Sequence, residues 1–175
     1  TASNPAYDGS PRYSPDGRYI AYRMQKQPAY ESDLFRLALY DRKAGTSTVL
    51  TESFRNWVEE FEWAEDSKSI FINSSVEGVN PIYRLDLASK KMTEIFQDKT
   101  IGDLNFSRDG RSLVYTMRST GEPAEIYQAA LGTGGNKTKL SHFNDAFMNE
   151  VDVRPAESMW VTSTDGKKVQ VFIVK

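Results

Sequence analysis

The sequence predicts an all-β chain: a partial β-propeller of about three four-stranded antiparallel blades, followed by a C-terminal β-hairpin. Three observations carry that expectation. The first is an internal repeat. Tyr13-Ser-Pro-Asp-Gly-Arg-Tyr-Ile-Ala-Tyr22, Trp63-Ala-Glu-Asp-Ser-Lys-Ser-Ile-Phe-Ile72 and Phe106-Ser-Arg-Asp-Gly-Arg-Ser-Leu-Val-Tyr115 align without gaps, with aspartates at 16, 66 and 109. Their separations of 50 and 43 residues suit propeller blades and exceed the roughly 33 to 34 of helical ankyrin or TPR units. The second observation is that runs of β-branched and aromatic residues alternate with turn residues inside each copy. The third is negative: apolar residues at helical spacing are not sustained over any 12-residue window, and Gly, Pro or Asp-Gly interrupts about every ten residues.

Each repeat reads as the same four strands. The first ends at the aromatic Tyr13, Trp63 or Phe106. A segment of Ser-Pro-Asp-Gly type then turns the chain, because Pro presets φ, Asp bonds its own backbone and Gly tolerates positive φ. The second strand covers Tyr19 to Met24, Ser69 to Asn73 and Ser112 to Met117. The third is read at Leu34 to Leu39, Ile82 to Leu87 and Ile126 to Leu131, beginning 18, 16 and 17 residues past the aspartate; the extra length in the first copy is a loop insertion. Turns at Asp41 to Gly45, Ala88 to Lys91 and Gly132 to Gly135 lead to fourth strands ending near Leu50, Phe96 and Leu140.

The blades are thus placed at about 11–53, 57–98 and 101–143 within residues 1–146. Residues 147–175 form a linker and a hairpin, Met159 to Thr164 and Lys168 to Val174 around Asp165-Gly166. Propellers close with about four to eight blades, so three blades are expected to be an arc of a larger ring, with exposed blade edges that favour self-association. The repeat also predicts that Tyr13, Trp63 and Phe106, and likewise Ile20, Ile70 and Leu113, are buried at corresponding depths between sheets.

Composition narrows the function classes. With 22 basic against 24 acidic residues and a net charge of -2, no basic stripe is offered to nucleic acid or to an anionic membrane. No apolar run approaches the roughly 18 residues of a membrane span. The absence of cysteine excludes disulfides and thiolate chemistry but leaves the compartment open; for a bacterial protein it fits periplasm or cytoplasm.

A family likeness rests on particular residues. Asn4-Pro-Ala-Tyr-Asp-Gly-Ser-Pro-Arg-Tyr-Ser-Pro-Asp-Gly17, Tyr30-Glu-Ser-Asp-Leu-Phe-Arg-Leu37, Tyr40-Asp-Arg42 and Leu50-Thr-Glu52 resemble the propeller of the prolyl oligopeptidase family of serine peptidases, in its acylaminoacyl and dipeptidyl peptidase branches. Leu140 to Glu150 and Ser163 to Lys175 resemble the passage from a last blade into the opening hairpin of the hydrolase domain. The resemblance implies a serine exopeptidase in which an α/β-hydrolase domain follows Lys175, meets the peptide substrate and is gated by the propeller. The chain itself carries no Gly-x-Ser-x-Gly elbow, and its one histidine, His142, lies in a polar connection after a fourth strand. Catalysis by these residues alone is therefore not expected. Single Ser-Pro-Asp-Gly repeats also occur in TolB-like propellers, so a non-enzymatic propeller that binds a protein or peptide is the alternative.

Other candidate chemistry is thin. Glu59 and Glu60 form an acidic pair, but strand neighbours point to opposite faces, which favours a strand of mixed lining over an ammonium clamp. Gly132-Thr-Gly-Gly135 lacks the spacing and context of a phosphate loop. No ligand spacing suits calcium or zinc, so no metal and no cofactor are expected. The long loop Gln25 to Asp33 is the exception. Second strands end on the face where fourth strands end, and the chain leaves its last fourth strand towards the hydrolase. Tyr30, Glu31 and Asp33, on the longest loop of that face, are the candidate substrate-binding residues, against the plainer reading that they anchor their own loop.

Overall fold

The computed structural model describes residues 3–107, 109–132 and 136–175. Three four-stranded antiparallel sheets follow one another along the chain, each in sequential strand order. The first holds β1 (Asp8–Tyr13), β2 (Tyr19–Met24), β3 (Arg36–Asp41) and β4 (Thr46–Val49). The second holds β5 (Glu60–Trp63), β6 (Ser69–Asn73), β7 (Asn80–Asp86) and β8 (Met92–Asp98). The third holds β9 (Thr100–Phe106), β10 (Ser112–Ser119), β11 (Glu122–Ala130) and β12 (Lys137–Lys139). A single helical turn, α1 (Asp145–Met148), precedes the hairpin β13 (Glu157–Thr162) and β14 (Lys168–Ile173). Most of the predicted turn at Gly132 to Gly135 lies outside the described residues.

The aspartate turns form as their chemistry predicts. The Oδ1 atoms of Asp16, Asp66 and Asp109 accept the backbone N–H two residues on, from Arg18, Lys68 and Arg111, at 3.0, 2.8 and 3.1 Å. Gly17 and Gly110 then take φ of 70° and 65°. In the second copy Ser67 stands at this place and still adopts φ 57°, a conformation costly for a side-chain-bearing residue. A contact offsets that cost: the buried Ser67 hydroxyl accepts the Asp16 N–H at 3.0 Å and ties the turns of two sheets together.

The core lies between sheets. Strand alternation sends one set of residues to each face, and one apolar cluster gathers Ala21 and Leu37 of the first sheet with Phe61, Trp63, Ile70 and Ile72 of the second. The next gathers Phe71 and Ile82 with Leu104, Leu113, Tyr115 and Ala129. Trp63 stacks on Tyr19 at 6.4 Å, and Phe106 meets Phe71 edge to face at 5.2 Å. Each ring therefore packs on the preceding sheet.

That dependence corrects the expectation for Tyr13, which is 62% exposed. No sheet precedes the first among the described residues, so its ring has no apolar partner. Arg42 lies over it instead, 5.3 Å from the centroid. Phe106 is only partly buried, as is Ile20 of the second predicted set, whereas Trp63, Ile70 and Leu113 are buried.

A second correction concerns register. Ile20, Ile70 and Leu113 pair with Tyr40, Leu85 and Ala129, so Leu37, not Leu34, corresponds to Ile82 and Ile126. Asp41 then matches Asp86, and both carboxylates accept backbone N–H groups of the following turn. The insertion in the first repeat is longer by three residues than the sequence pattern suggests.

Candidate functional site

Strand direction defines one face of the molecule. Asp8 at the start of β1 pairs with Met24 at the end of β2, and Met24 with Arg36 at the start of β3. The loop between β2 and β3, the corresponding turns around Glu77-Gly78 and Thr120-Gly121, and the exit from β12 therefore share this face. The C-terminal segment returns to it. Gln170 Nε2 donates to the Glu77 carbonyl at 3.0 Å, and Ala156 N–H to Thr120 Oγ1 at 3.3 Å. Glycine makes both seats: a Cβ on Gly78 would come within 2.4 Å of the Phe172 ring, and one on Gly121 within 3.2 Å of the Pro155 backbone.

The three candidate residues do different things in the loop. Asp33 is consumed by it. Oδ2 accepts the N–H groups of Lys26 and Gln27 at 2.6 and 3.0 Å, while Oδ1 accepts Leu34 N–H at 2.8 Å and Arg36 Nη1 at 3.2 Å. Burial alone would raise the Asp33 pKa, but these donors and the guanidinium charge outweigh it and hold it at about 2. Gln25 Nε2 braces the loop again by donating to the Asp33 carbonyl at 2.9 Å. Tyr30, by contrast, is 55% exposed, and the exposed Glu31 carboxylate has no partner among the described residues. Asp33 is thus the anchor, and Tyr30 and Glu31 are displayed by it.

A second feature of the site was not legible in the sequence. Where the first strands β1, β5 and β9 come together, a cavity of about 370 Å³ is lined by Ser10, Arg12, Arg23, Glu59, Glu60 and Asp103, among others. Bulges build it. In β1 and β9 an extra residue is inserted before the aromatic, and Ser10 and Asp103 each take φ 53° there, as a bulge that re-aims side chains allows. The middle strand β5 is unbulged, and Glu60 stands at the register position that glycine fills as Gly9 and Gly102.

The cavity's charges are mostly accounted for internally. The Glu60 carboxylate accepts the Leu104 N–H, with both oxygens at 3.2 Å, and Asn73 Nδ2 donates to the Ile101 carbonyl at 2.8 Å. Both contacts satisfy backbone groups on the open edge of β9, which is the physical use of Glu60 in place of glycine. Arg12 pairs with Glu62. Burial raises the pKa values of Glu60 and Glu62 and lowers that of Arg23. The Arg23 guanidinium lies 4.1 Å from the centroid of Phe35, and its buried Nε has no hydrogen-bond partner among the described residues. Glu59 and Glu60 do border one cavity, although Phe61 and Trp63 turn into the core on the first sheet. His142, far along the chain, bonds Asp145 Oδ2 through Nδ1 at 2.7 Å. Among the described residues no group of three or more His, Asp or Glu is placed to hold a metal ion, and no helix is long and apolar enough to cross a membrane.

No family model matches the sequence. The chain is 34% identical over 168 residues to dipeptidyl-peptidase 5 of Porphyromonas endodontalis, a match that takes in 96% of this chain and 24% of that protein. It spans about a quarter of the length of the curated relatives it matches. Among solved structures, the acylaminoacyl peptidase of Pyrococcus horikoshii superposes with a TM-score of 0.73 at 18% identity, over 91% of this chain and 24% of that one. TolB of Acinetobacter baumannii superposes with a TM-score of 0.62 at 22% identity, over 97% and 38%. The structural likenesses are of fold, and they make the three sheets consecutive blades of a propeller.

Proposed function

From the premise that this chain is a propeller segment of a prolyl oligopeptidase family peptidase, we propose that it forms part of the gate through which a peptide reaches a serine exopeptidase active site. The catalytic groups belong to an α/β-hydrolase domain beyond this segment. One observation carries the reading: the hairpin after the last blade sits on the face that bears the β2–β3 loop and its counterparts. A domain continuing from that hairpin would face Tyr30 and Glu31. The segment by itself holds no nucleophile elbow, and among the described residues its one histidine, His142, bonds Asp145 and no serine; an arc of three blades on its own would leave blade edges suited to self-association.

Residues 1–175 alone are therefore expected to self-associate in sedimentation, to leave dipeptidyl and aminoacyl chromogenic substrates intact and to escape a fluorophosphonate probe. The full-length protein is expected to hydrolyse and to label. Stoichiometric labelling of the segment, or a full-length protein inert to both reagents, would overturn the reading.

Within that gate we assign the substrate ammonium to Glu31, because it is the loop carboxylate with no internal partner among the described residues, and Tyr30 beside it offers an aromatic wall. Hydrogen bonds to charged groups are worth about 1.5 to 3 kcal/mol. Glu31→Gln in the full-length protein is expected to raise KM for substrates with a free amino terminus by roughly tenfold or more, while N-acylated analogues change little. Equal effects on both substrate types would return Glu31 to a role in the loop alone.

A further inference from the structure

The chain leaves the third blade through the grip of one carboxylate. Glu125 lies within β11 and is 5% exposed. Oε2 accepts the Ser141 hydroxyl and the Phe143 N–H, the latter at 3.3 Å. Oε1 accepts the Asn144 N–H at 2.8 Å and Asn144 Nδ2 at 3.0 Å. A carboxylate offers about four acceptor sites, so this one is saturated by residues 141–144. The hydrogen bond from Ser141, together with the Asn144 and Phe143 donors, outweighs burial and holds the Glu125 pKa at about 2, so the group stays ionised.

The arrangement is particular to this sheet. The first sheet has the same closing hydroxyl, with Thr51 Oγ1 accepting Leu37 N–H at 2.9 Å as Ser141 Oγ accepts Ile126 N–H at 2.8 Å. Met24 and Met117 correspond, however, and they pair with Arg36 in the first sheet and Glu125 in the third. The carboxylate therefore appears where the chain departs from the blades. Around it, Lys139 at the end of β12 and Asp145 at the start of α1 bridge at 2.5 Å, and Arg154-Pro155 reaches the notch at Gly121.

We propose that Glu125 is a positioning residue: by binding residues 141–144 it sets the path along which the following segment reaches its seats at Thr120-Gly121 and Glu77-Gly78, and so fixes the propeller against the domain that continues from the hairpin. This rests on the reading given under Proposed function. Glu125 touches no substrate in this role. Its effect on turnover passes through the hairpin.

The test uses the full-length protein and Glu125→Gln, which keeps the shape but turns an amide NH₂ towards groups that are themselves donors. Amide hydrogen exchange at Phe143 and Asn144, and across residues 157–173, is expected to quicken tenfold or more while β10 and the rest of β11 keep their protection. Turnover, kcat, is expected to fall by a similar factor for free-amino and N-acylated substrates alike, unlike the substrate-selective effect of Glu31→Gln. Faster exchange confined to residues 141–144 with unchanged turnover would overturn the proposal, as would loss of protection throughout β10 and β11. The exchange measurement needs no activity, so a wild-type protein without hydrolysis would refute the peptidase reading while leaving the positioning role decided by exchange.

Discussion

Trp63→Ala is expected to destabilise the chain by about 3 to 5 kcal/mol, the usual consequence of emptying a large aromatic site in a core. Trp63 is 3% exposed and belongs to the cluster that joins the first two blades. Its loss removes apolar area, the stack on Tyr19, and the hydrogen bond from Nε1 to the Arg12 carbonyl at 3.1 Å. Tyr13 occupies the same repeat position with no preceding sheet among the described residues. Tyr13→Ala should therefore stay within roughly 0.5 kcal/mol in this chain, as exposed substitutions usually do. Urea midpoints of the two variants measured side by side would decide the matter. A Trp63→Ala protein that loses less than about 1 kcal/mol would show that the interface between the blades does not depend on this ring.

The contrast between Trp63 and Tyr13 also marks how far the sequence could be read. The repeat announced the three four-stranded sheets, and the aspartate turns formed where Asp16, Asp66 and Asp109 stand, because both signals are local: a turn needs only its own four residues. Burial is not local. Tyr13 looks like Trp63 in the alignment, yet its environment is decided by a neighbouring sheet. The third strand of the first repeat differs in register by three residues for a similar reason. Leu34-Phe-Arg-Leu37 imitates Ile82-Tyr-Arg-Leu85, but pairing with β2 and the long insertion select Leu37 as the counterpart of Ile82.

Of the candidate site, the loop was legible as a length anomaly and an acidic-aromatic composition. The division of labour within it was not. Asp33 and Glu31 are both loop carboxylates, and only the folded loop brings Asp33 within reach of the Lys26, Gln27 and Leu34 N–H groups and the Arg36 guanidinium. Gly9 and Pro11 in β1 and Gly102 in β9 flank or enter the bulges and are a sequence signal for them, but the mixed-charge cavity also needs three first strands to converge, which no local pattern announces. Ser67 did leave a signal: a serine where the other repeats have glycine must adopt positive φ, which implies a compensating contact. Glu125 left no signal, since its partners lie 16 to 19 residues away.

The largest expected effect from a polar residue is at Asn73. It is 1% exposed at the end of β6, where Nδ2 donates to the Ile101 carbonyl at 2.8 Å and Oδ1 accepts Asn80 Nδ2 at 3.0 Å. The first bond joins the second blade to the open edge of the third, and Glu60 makes a parallel contact to Leu104 N–H. Asn73→Leu keeps the branched heavy-atom skeleton and adds apolar area, so area alone would make it neutral or stabilising. Hydrogen bonding decides the sign. The Ile101 carbonyl and one bond of the buried Asn80 amide would be left unmade, at about 1 to 3 kcal/mol for each buried group that finds no new partner; Asn80 retains Ser75 Oγ at 3.2 Å, so the carbonyl bears most of the loss. A net destabilisation of about 1 to 3 kcal/mol is expected, with faster amide exchange concentrated in β9. The pair with Asn80 can be isolated by a double-mutant cycle, in which Asn73→Leu and Asn80→Ala should be less than additive because each removes the same bond. A fully stable Asn73→Leu protein with β9 protected as before would show that the edge of the third blade is held by Glu60 and apolar packing without the amide.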